Sequence, residues 1–349
     1  MKMRILVTGN NGYIGTVMTQ MLLSEGFEVV GLDNDLFEES IFGNPSITGG
    51  IPSISYMRKD LRDVSSTDLK NVDAIFHLCA LSNDPLSNFN PKLTFEINHR
   101  SSVRLAKLAK ENGINRFILS SSCSVYGDSK ENIVNEESIV NPITPYAISK
   151  VHAERGISKL ADSDFCPTFL RSSTAYGLSP MLRFDLVVNN FVAWSFTKGT
   201  VLLKSDGTAW RPLVHIQDIS HAFISVLKSP VDVVYNQVFN VGKNGENYQI
   251  KDVAEIVKNI VPNSEIKYVD GAEPDKRSYQ VKFDKISQLI PDFKPKWNVS
   301  LGAKQLYDAY KKVGLLVEDF EGPKFRRISN LEHSIKYGVL DENLRRIVV

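Results

Sequence analysis

The stretch RILVTGNNGYIG, residues 4–15, sets a short apolar run directly before three glycines spaced GxxGxxG. Few folds accept that combination. The run reads as a buried strand, the glycines as a tight turn, and Gly12–Glu25 carries the period of a helix. Glycines in such a turn let backbone N–H groups approach a pyrophosphate, and the helix N-terminus then faces its negative charge. Gly9, Asn11, Gly12, Tyr13, Ile14 and Gly15 are therefore candidate contacts for a dinucleotide. Glycine-rich turns are common, so the loop needs support from its surroundings. Asp33 supplies it by ending a second apolar run, 18 residues after Gly15, where an acid can bond the adenosine ribose hydroxyls. A carboxylate there repels a 2′-phosphate, which favours NAD over NADP.

Strand-like runs recur at Arg4–Thr8, Glu28–Leu32, Ala74–Leu78 and Arg116–Ser120, with helical stretches such as Pro91–Asn112 between them. That alternation predicts an α/β fold: a doubly wound, mostly parallel sheet of Rossmann type over residues 1–175, with helices on both faces. A strand-like Ile54–Met57 precedes Asp60-Leu61, and Thr168–Arg171 follows the helical Pro145–Ala161. Residues 176–349 read as a smaller mixed α/β lobe, partly returning to the first domain. In it, Phe184–Lys198, His215–Lys228 and Asp252–Val261 are helical, and Val201–Leu203 and Val238–Val241 are strand candidates. Val281–Lys285 resembles a strand entering a helix, and residues 321–349 suggest no role.

Composition excludes more than it selects. The chain of 349 residues is 42% hydrophobic and 23% charged, enough for a large core. Lys+Arg (41) balances Asp+Glu (40), so neither nucleic acid nor an anionic membrane is expected as partner. No run approaches the ~18 apolar residues of a membrane span. The N-terminus lacks the pattern of a signal peptide. Three cysteines without a CxxC fit a reducing, cytoplasmic setting, and six histidines form no metal-binding spacing.

Chemistry concentrates in two short segments. Pro145-Tyr146-Ala147-Ile148-Ser149-Lys150 contains YxxxK, with Thr144 as a plausible N-cap and Pro145 as first helical residue. Four residues apart on a helix, Lys150 sits beside Tyr146, where an ammonium favours tyrosinate and makes a phenol a usable base. YxxxK alone also arises in ordinary amphipathic helices. About twenty residues upstream lies SSSCSVYG, at the end of the fourth strand-like run. Ligands of parallel sheets bind beyond the carboxyl ends of strands, so a hydroxyl there can meet Tyr146 and a substrate oxygen.

GxxGxxG, a strand-end Asp, SSxxxVYG and PYxxSK in this order resemble the extended short-chain dehydrogenase/reductase family, and especially its nucleotide-sugar epimerases and dehydratases. The resemblance covers roughly residues 3–285. It implies that Ser122, Tyr146 and Lys150 are the catalytic trio. It also implies that Asp33, Asn34, Asp60 and Leu61 join the glycines around NAD. Leu78, Cys79, Ala80 and Ser120 would pass the nicotinamide end, with Asn98 behind the tyrosine. Asn190, Arg211 and Arg277 match positions that hold the diphosphate of a nucleotide-linked sugar, a task suited to fixed cationic forks. Thr174 stands where many relatives carry Asn, and Ser82 and Asn83 lie in a strand-end loop that could reach sugar hydroxyls. His215 and Asp218 read as structural.

Two departures narrow the reaction. Dehydratases of this family place Asp-Glu after the catalytic hydroxyl residue, whereas this chain has Cys123-Ser124. Its 3,5-epimerases place a cysteine where Ser124 stands, and Cys123, one position off, reads as a buried thiol. The expectation is an NAD-dependent epimerase acting at C4 of a nucleotide-diphosphate sugar through a transient 4-keto form. The alternatives are a reductase of a 4-keto deoxysugar and, further off, an inactive cofactor-binding scaffold. The resemblance also implies a homodimer through Pro91–Asn112 and Pro145–Ala161. The nucleotide base and the sugar stay open.

Overall fold

The computed structural model describes residues 2–271 and 278–347. The chain enters as β1 (Arg4–Thr8), α1 (Tyr13–Ser24) and β2 (Glu28–Asp33), followed by the short edge strand β3 (Tyr56–Arg58) and β4 (Ala74–His77). After α2 (Ser102–Glu111) come β5 (Arg116–Ser122), α3 (Pro145–Ser158) and β6 (Cys166–Ser172). The second half supplies β7 (Thr174–Tyr176), α4 (Val187–Lys198), β8 (Trp210–His215), α5 (Ile216–Lys228) and β9 (Val238–Val241). It continues with β10 (Asn247–Gln249), α6 (Ile250–Ile260), α7 (Val299–Val313) and α8 (Arg327–Lys336).

Seven strands form one sheet in the order β9-β6-β5-β4-β1-β2-β3, every neighbouring pair parallel. Strands buried on both faces should be continuously apolar rather than alternating. Ile5, Leu6 and Val7 of β1 are accordingly fully buried, each adding roughly 1.5–3 kcal/mol of burial. α1 packs against α5 on one face, so a helix from the second half shares the first core. The order reverses between β1 and β4, which opens a crevice at the carboxyl ends of those strands. β8 pairs with β7 and β10 in a separate sheet that carries the second half's own core.

Several elements differ from the sequence reading. β5 runs two residues further, through Ser122, because Ser120–Ser122 pair with Leu170–Ser172 of β6. Because β3 precedes it, β5 is the fifth strand of the chain. The helix expected over Pro91–Asn112 is interrupted by wide, π-type turns at Glu96–Ser101. There the Ser101 hydroxyl donates to the carbonyl of Glu96 at 2.9 Å, five residues back, a spacing that widens the turn. Residues 321–349 lacked an assigned role, yet α8 and the tail beyond it pack Leu331, Leu340 and Leu344 against Leu81, Leu86 and Ile97. Among the described residues no helix is long and apolar enough to cross a membrane, and no cluster suits a metal ion.

Candidate active site

A cavity of about 1340 Å³ opens at the carboxyl ends of β1, β2, β4 and β5. It exceeds the roughly 300–1,000 Å³ of a pocket for one small ligand. At its cofactor end the glycine turn is closed by close approach. Gly9 has φ +77°, donates its N–H to the carbonyl of Leu32 at 2.7 Å, and leaves only 3.0 Å between a hypothetical Cβ and the Cys79 nitrogen. A Cβ on Gly15 would lie 2.0 Å from the Gly9 carbonyl oxygen, and one on Gly12 3.2 Å from it. Gly12 caps α1 with no side chain of its own, and no acid sits in the first turn, so that N-terminus faces the cavity uncompensated.

Asp33 accepts from the backbone N–H of Asn11 at 3.0 Å and of Asp35 at 2.9 Å. Burial nevertheless pushes its carboxyl up to about 6. Asp33, Asn34, Asp60, Leu61, Tyr13 and Ile14 all line the cavity. Asn11 does not, because its amide donates to Asp35 Oδ1 at 2.7 Å. Tyr13 does more than flank the turn, donating its hydroxyl to the carbonyl of Gly177 at 2.7 Å and so tying α1 to the second half. Burial alone would raise Asp60, but it is held below its ordinary range by Arg62, which donates Nε at 2.9 Å and Nη2 at 2.7 Å.

The catalytic candidates meet beyond the end of β5. Thr144 caps α3 by accepting from Ala147 N–H at 3.3 Å, and Pro145 occupies the first turn. That start places Tyr146 and Lys150 on the face turned to Ser122, and all three line the cavity. Burial drives the Tyr146 phenol up to about 12, and the Ser122 hydroxyl nearby draws it back. The lysine was expected to lower that phenol. Lys150 stands 5.8 Å from the Tyr146 ring centroid and donates Nζ to the Ser120 carbonyl at 2.7 Å, and burial lowers its own ammonium to about 8. Leu78, Cys79, Ala80 and Ser120 line the wall alongside. Asn98 does not reach the cavity. Its side chain accepts from Leu81 N–H at 2.8 Å and donates to the Leu81 carbonyl and Ser149 Oγ, so it fixes the wall from behind.

On the substrate side, Ser82, Asn83, Thr174, Asn190 and Arg211 line the same cavity. Ser82 Oγ accepts from Arg183 Nη1 at 2.9 Å, and Asn83 donates to Asp185. Asn190 donates to the Phe184 carbonyl at 2.8 Å, and Arg211 donates to the Trp210 carbonyl at 2.8 Å. Arg277 lies outside the described residues. Arg183, Asp185 and Arg327 also line the cavity and were missed in the sequence. Arg183 grips Asp185 through Nε at 3.0 Å and Nη2 at 2.6 Å, and that ion pair inside the apolar run MLRFDLVV was the available signal.

Cys123 is 1% exposed, donates its thiol to the Arg171 carbonyl at 3.1 Å, and is pushed up to about 12 by burial. It faces the core, whereas Ser124 lines the cavity. Asp218 accepts from the N–H groups of Lys296 and Trp297, and His215 caps α5, so both are structural.

A model of the NAD dependent epimerase/dehydratase family matches residues 5–242, and the chain belongs to that family. It is 26% identical over 322 residues to UDP-glucuronic acid decarboxylase 1 of Arabidopsis thaliana, covering 89% of this chain and 70% of that protein. It is 24% identical over 311 residues to UDP-glucuronate 4-epimerase of Thermodesulfobacterium geofontis, covering 86% of this chain and 94% of that one. The crystal structure of UDP-glucuronic acid 4-epimerase from Bacillus cereus, with UDP-glucuronic acid and NAD, superposes with a TM-score of 0.74. It is 25% identical and covers 89% of this chain and 99% of that one. NAD, the cofactor of the family, fits the residues present: the glycine turn is a cradle that any Cβ would fill, and Asp33 stands at the end of β2.

Proposed function

We propose that this member of the family epimerises a nucleotide-diphosphate sugar at C4 through a transient 4-keto form. The observation that carries the reading is the meeting of Ser122, Tyr146 and Lys150 in one cavity beyond the end of β5, with no acid at positions 123 and 124. Gly9, Gly12, Gly15 and Asp33 would hold NAD, which when bound supplies the acceptor and donor of hydride at C4. Tyr146 takes the proton of the C4 hydroxyl and later returns it to the same oxygen. Ser122 donates to that oxygen and keeps it aimed at the phenol. Lys150, anchored on Ser120, brings positive charge to the phenol's side of the cavity and favours its ionised form. Asn190 and Arg211 suit the diphosphate, leaving the sugar to turn between the serines and Thr174.

The family's other reactions place different demands on the site. Elimination of water needs an acid and a base at neighbouring sugar carbons, and the two places where dehydratases carry acids hold a core-facing thiol and Ser124. Of the four cavity carboxylates, Asp33 and Asp60 sit at the cofactor end, Asp185 is locked by Arg183, and Asp84 opens the short helix Asp84–Phe89, its charge raising the Tyr146 phenol. The reading includes a homodimer packed through Pro91–Asn112 and Pro145–Ala161.

Incubation with a panel of nucleotide sugars tests it. The C4 epimer forms with no net change at 340 nm. Sustained NADH oxidation with a keto sugar makes the protein a reductase instead, and carbon dioxide release from a uronate makes it a decarboxylase.

A further inference from the structure

Arg327 opens α8 and is 3% exposed, yet it lines the same cavity as Gly12 and Asp33. A buried guanidinium is costly unless it is paired. Its bonds within the chain are weak for a cation: Nη1 donates to Ser40 Oγ at 3.0 Å, Nη2 reaches the Met181 carbonyl at 3.4 Å, and the group lies 4.1 Å from the Phe37 ring centroid. Among the described residues it forms no ion pair. The carboxylates whose charges bear on it are engaged elsewhere: Asp185 is gripped by Arg183, and Asp33 holds the N–H groups of Asn11 and Asp35. Burial and the charge of Arg183 lower Arg327 to about 9, as expected of a cation lacking its anion.

The segment that carries it is tied down at both flanks. Ser40 Oγ donates to the Lys324 carbonyl at 2.6 Å, before α8. After α8, Arg62 donates to the Asn343 carbonyl at 2.9 Å, Arg345 pairs with Asp63, and Arg346 donates to the Asp35 carbonyl at 2.6 Å. The C-terminal segment thus crosses the loop after β2, where an adenosine ribose belongs. The phosphates of a dinucleotide begin one ribose further toward the glycine turn. That turn offers N–H groups but no full charge.

We propose that Arg327 is a binding residue for the cofactor's pyrophosphate, and that the C-terminal segment forms a built-in wall of the cofactor cleft. The inference rests on the family's cofactor and not on the C4 reading, because it is tested by binding alone. NAD, ADP-ribose, adenosine and UDP are titrated separately into the wild type, Arg327→Met and Arg327→Lys. Loss of one charge-assisted fork weakens NAD and ADP-ribose about ten- to hundredfold in Arg327→Met. Adenosine and UDP stay within about threefold. Arg327→Lys keeps the charge without the fork and lies between, and it decides the matter if Arg327→Met does not fold. Unchanged NAD affinity in both arginine variants overturns the proposal. So does a loss confined to UDP, which assigns Arg327 to the substrate's phosphates, and so does an equal loss for all four ligands, which assigns it to the fold.

Discussion

Lys150 donates its Nζ to the carbonyl of Ser120 at 2.7 Å, while the same Nζ stands 5.8 Å from the centroid of the Tyr146 ring. The ammonium is therefore anchored to the end of β5 and stands beside the phenol ring. That anchoring matters because α3 and β5 come from distant stretches of chain, and this bond fixes their spacing beside Ser122. Burial, which holds Tyr146 up at about 12, sets the work the lysine and the bound cofactor have to do.

Removing the base should separate chemistry from binding. Tyr146→Phe is expected to lower kcat by about 10²–10⁴ while NAD affinity stays within a few-fold. Lys150→Met is expected to lose rate and to loosen NAD as well, because the ammonium anchors the strand end that borders the cofactor. Single-turnover rates and NAD titrations check both. A tyrosine variant with near-normal turnover removes the proposed base.

Asp33 should make cofactor binding pH-dependent. Its buried carboxyl titrates near 6, so the acceptor for ribose hydroxyls is lost as pH falls through that value. NAD affinity is expected to drop by about tenfold between pH 7 and pH 5. Asp33→Asn should bind NAD weakly at both pH values, with a flat profile, and discriminate less against NADP. A wild-type affinity that does not change with pH contradicts this account.

Cys123 should be chemically silent. Its thiol is buried against the Arg171 carbonyl, so Cys123→Ala is expected to leave kcat within about twofold and to cost roughly 1 kcal/mol of stability. Denaturant unfolding and steady-state rates measure the two effects. A rate loss above tenfold in a stable variant places the thiol in the reaction.

Acid should destabilise the fold through two buried histidines. His77 bridges Thr8 Oγ at 2.6 Å and Ser102 Oγ at 2.7 Å, and burial holds its imidazole down to about 3. His215 is held down to about 4. Between those values and about 6.5 the unfolded chain binds protons that the folded chain does not, so stability is present above 6.5 and lost as pH falls. The loss from pH 7 to pH 4 is expected to be on the order of 3 kcal/mol or more, and His77→Gln should reduce it. Asp33, raised to about 6, works in the opposite direction over part of that window and blunts the effect. Urea unfolding at several pH values checks the sign.

Much of the fold was legible because its signals are local. The apolar runs at β1, β2, β4 and β5 and the glycine turn each depend on a few adjacent residues whose burial and backbone geometry are set by type and spacing. The same holds for the start of α3, where Thr144 and Pro145 determine the helix's phase and so the side on which Tyr146 and Lys150 emerge. The role of Asn98 was only partly legible. Its type suited the position, but whether its amide reached the cofactor or the Leu81 backbone depended on the wide turns at Glu96–Ser101.

The sequence by itself determined the sheet and the nucleotide turn, whose signals are local, and its resemblance to the family singled out Ser122, Tyr146 and Lys150 as candidates. Only the tertiary structure decided the charges around them. Whether Lys150 meets a phenol or a carbonyl, whether Arg183 is spent on Asp185, and whether Arg327 lies on the surface or in the cofactor cleft depends on chain segments as many as 287 residues apart in the case of Arg327 and Ser40. Coulomb energy and desolvation depend on distance and burial in space, and spacing along the chain carries neither.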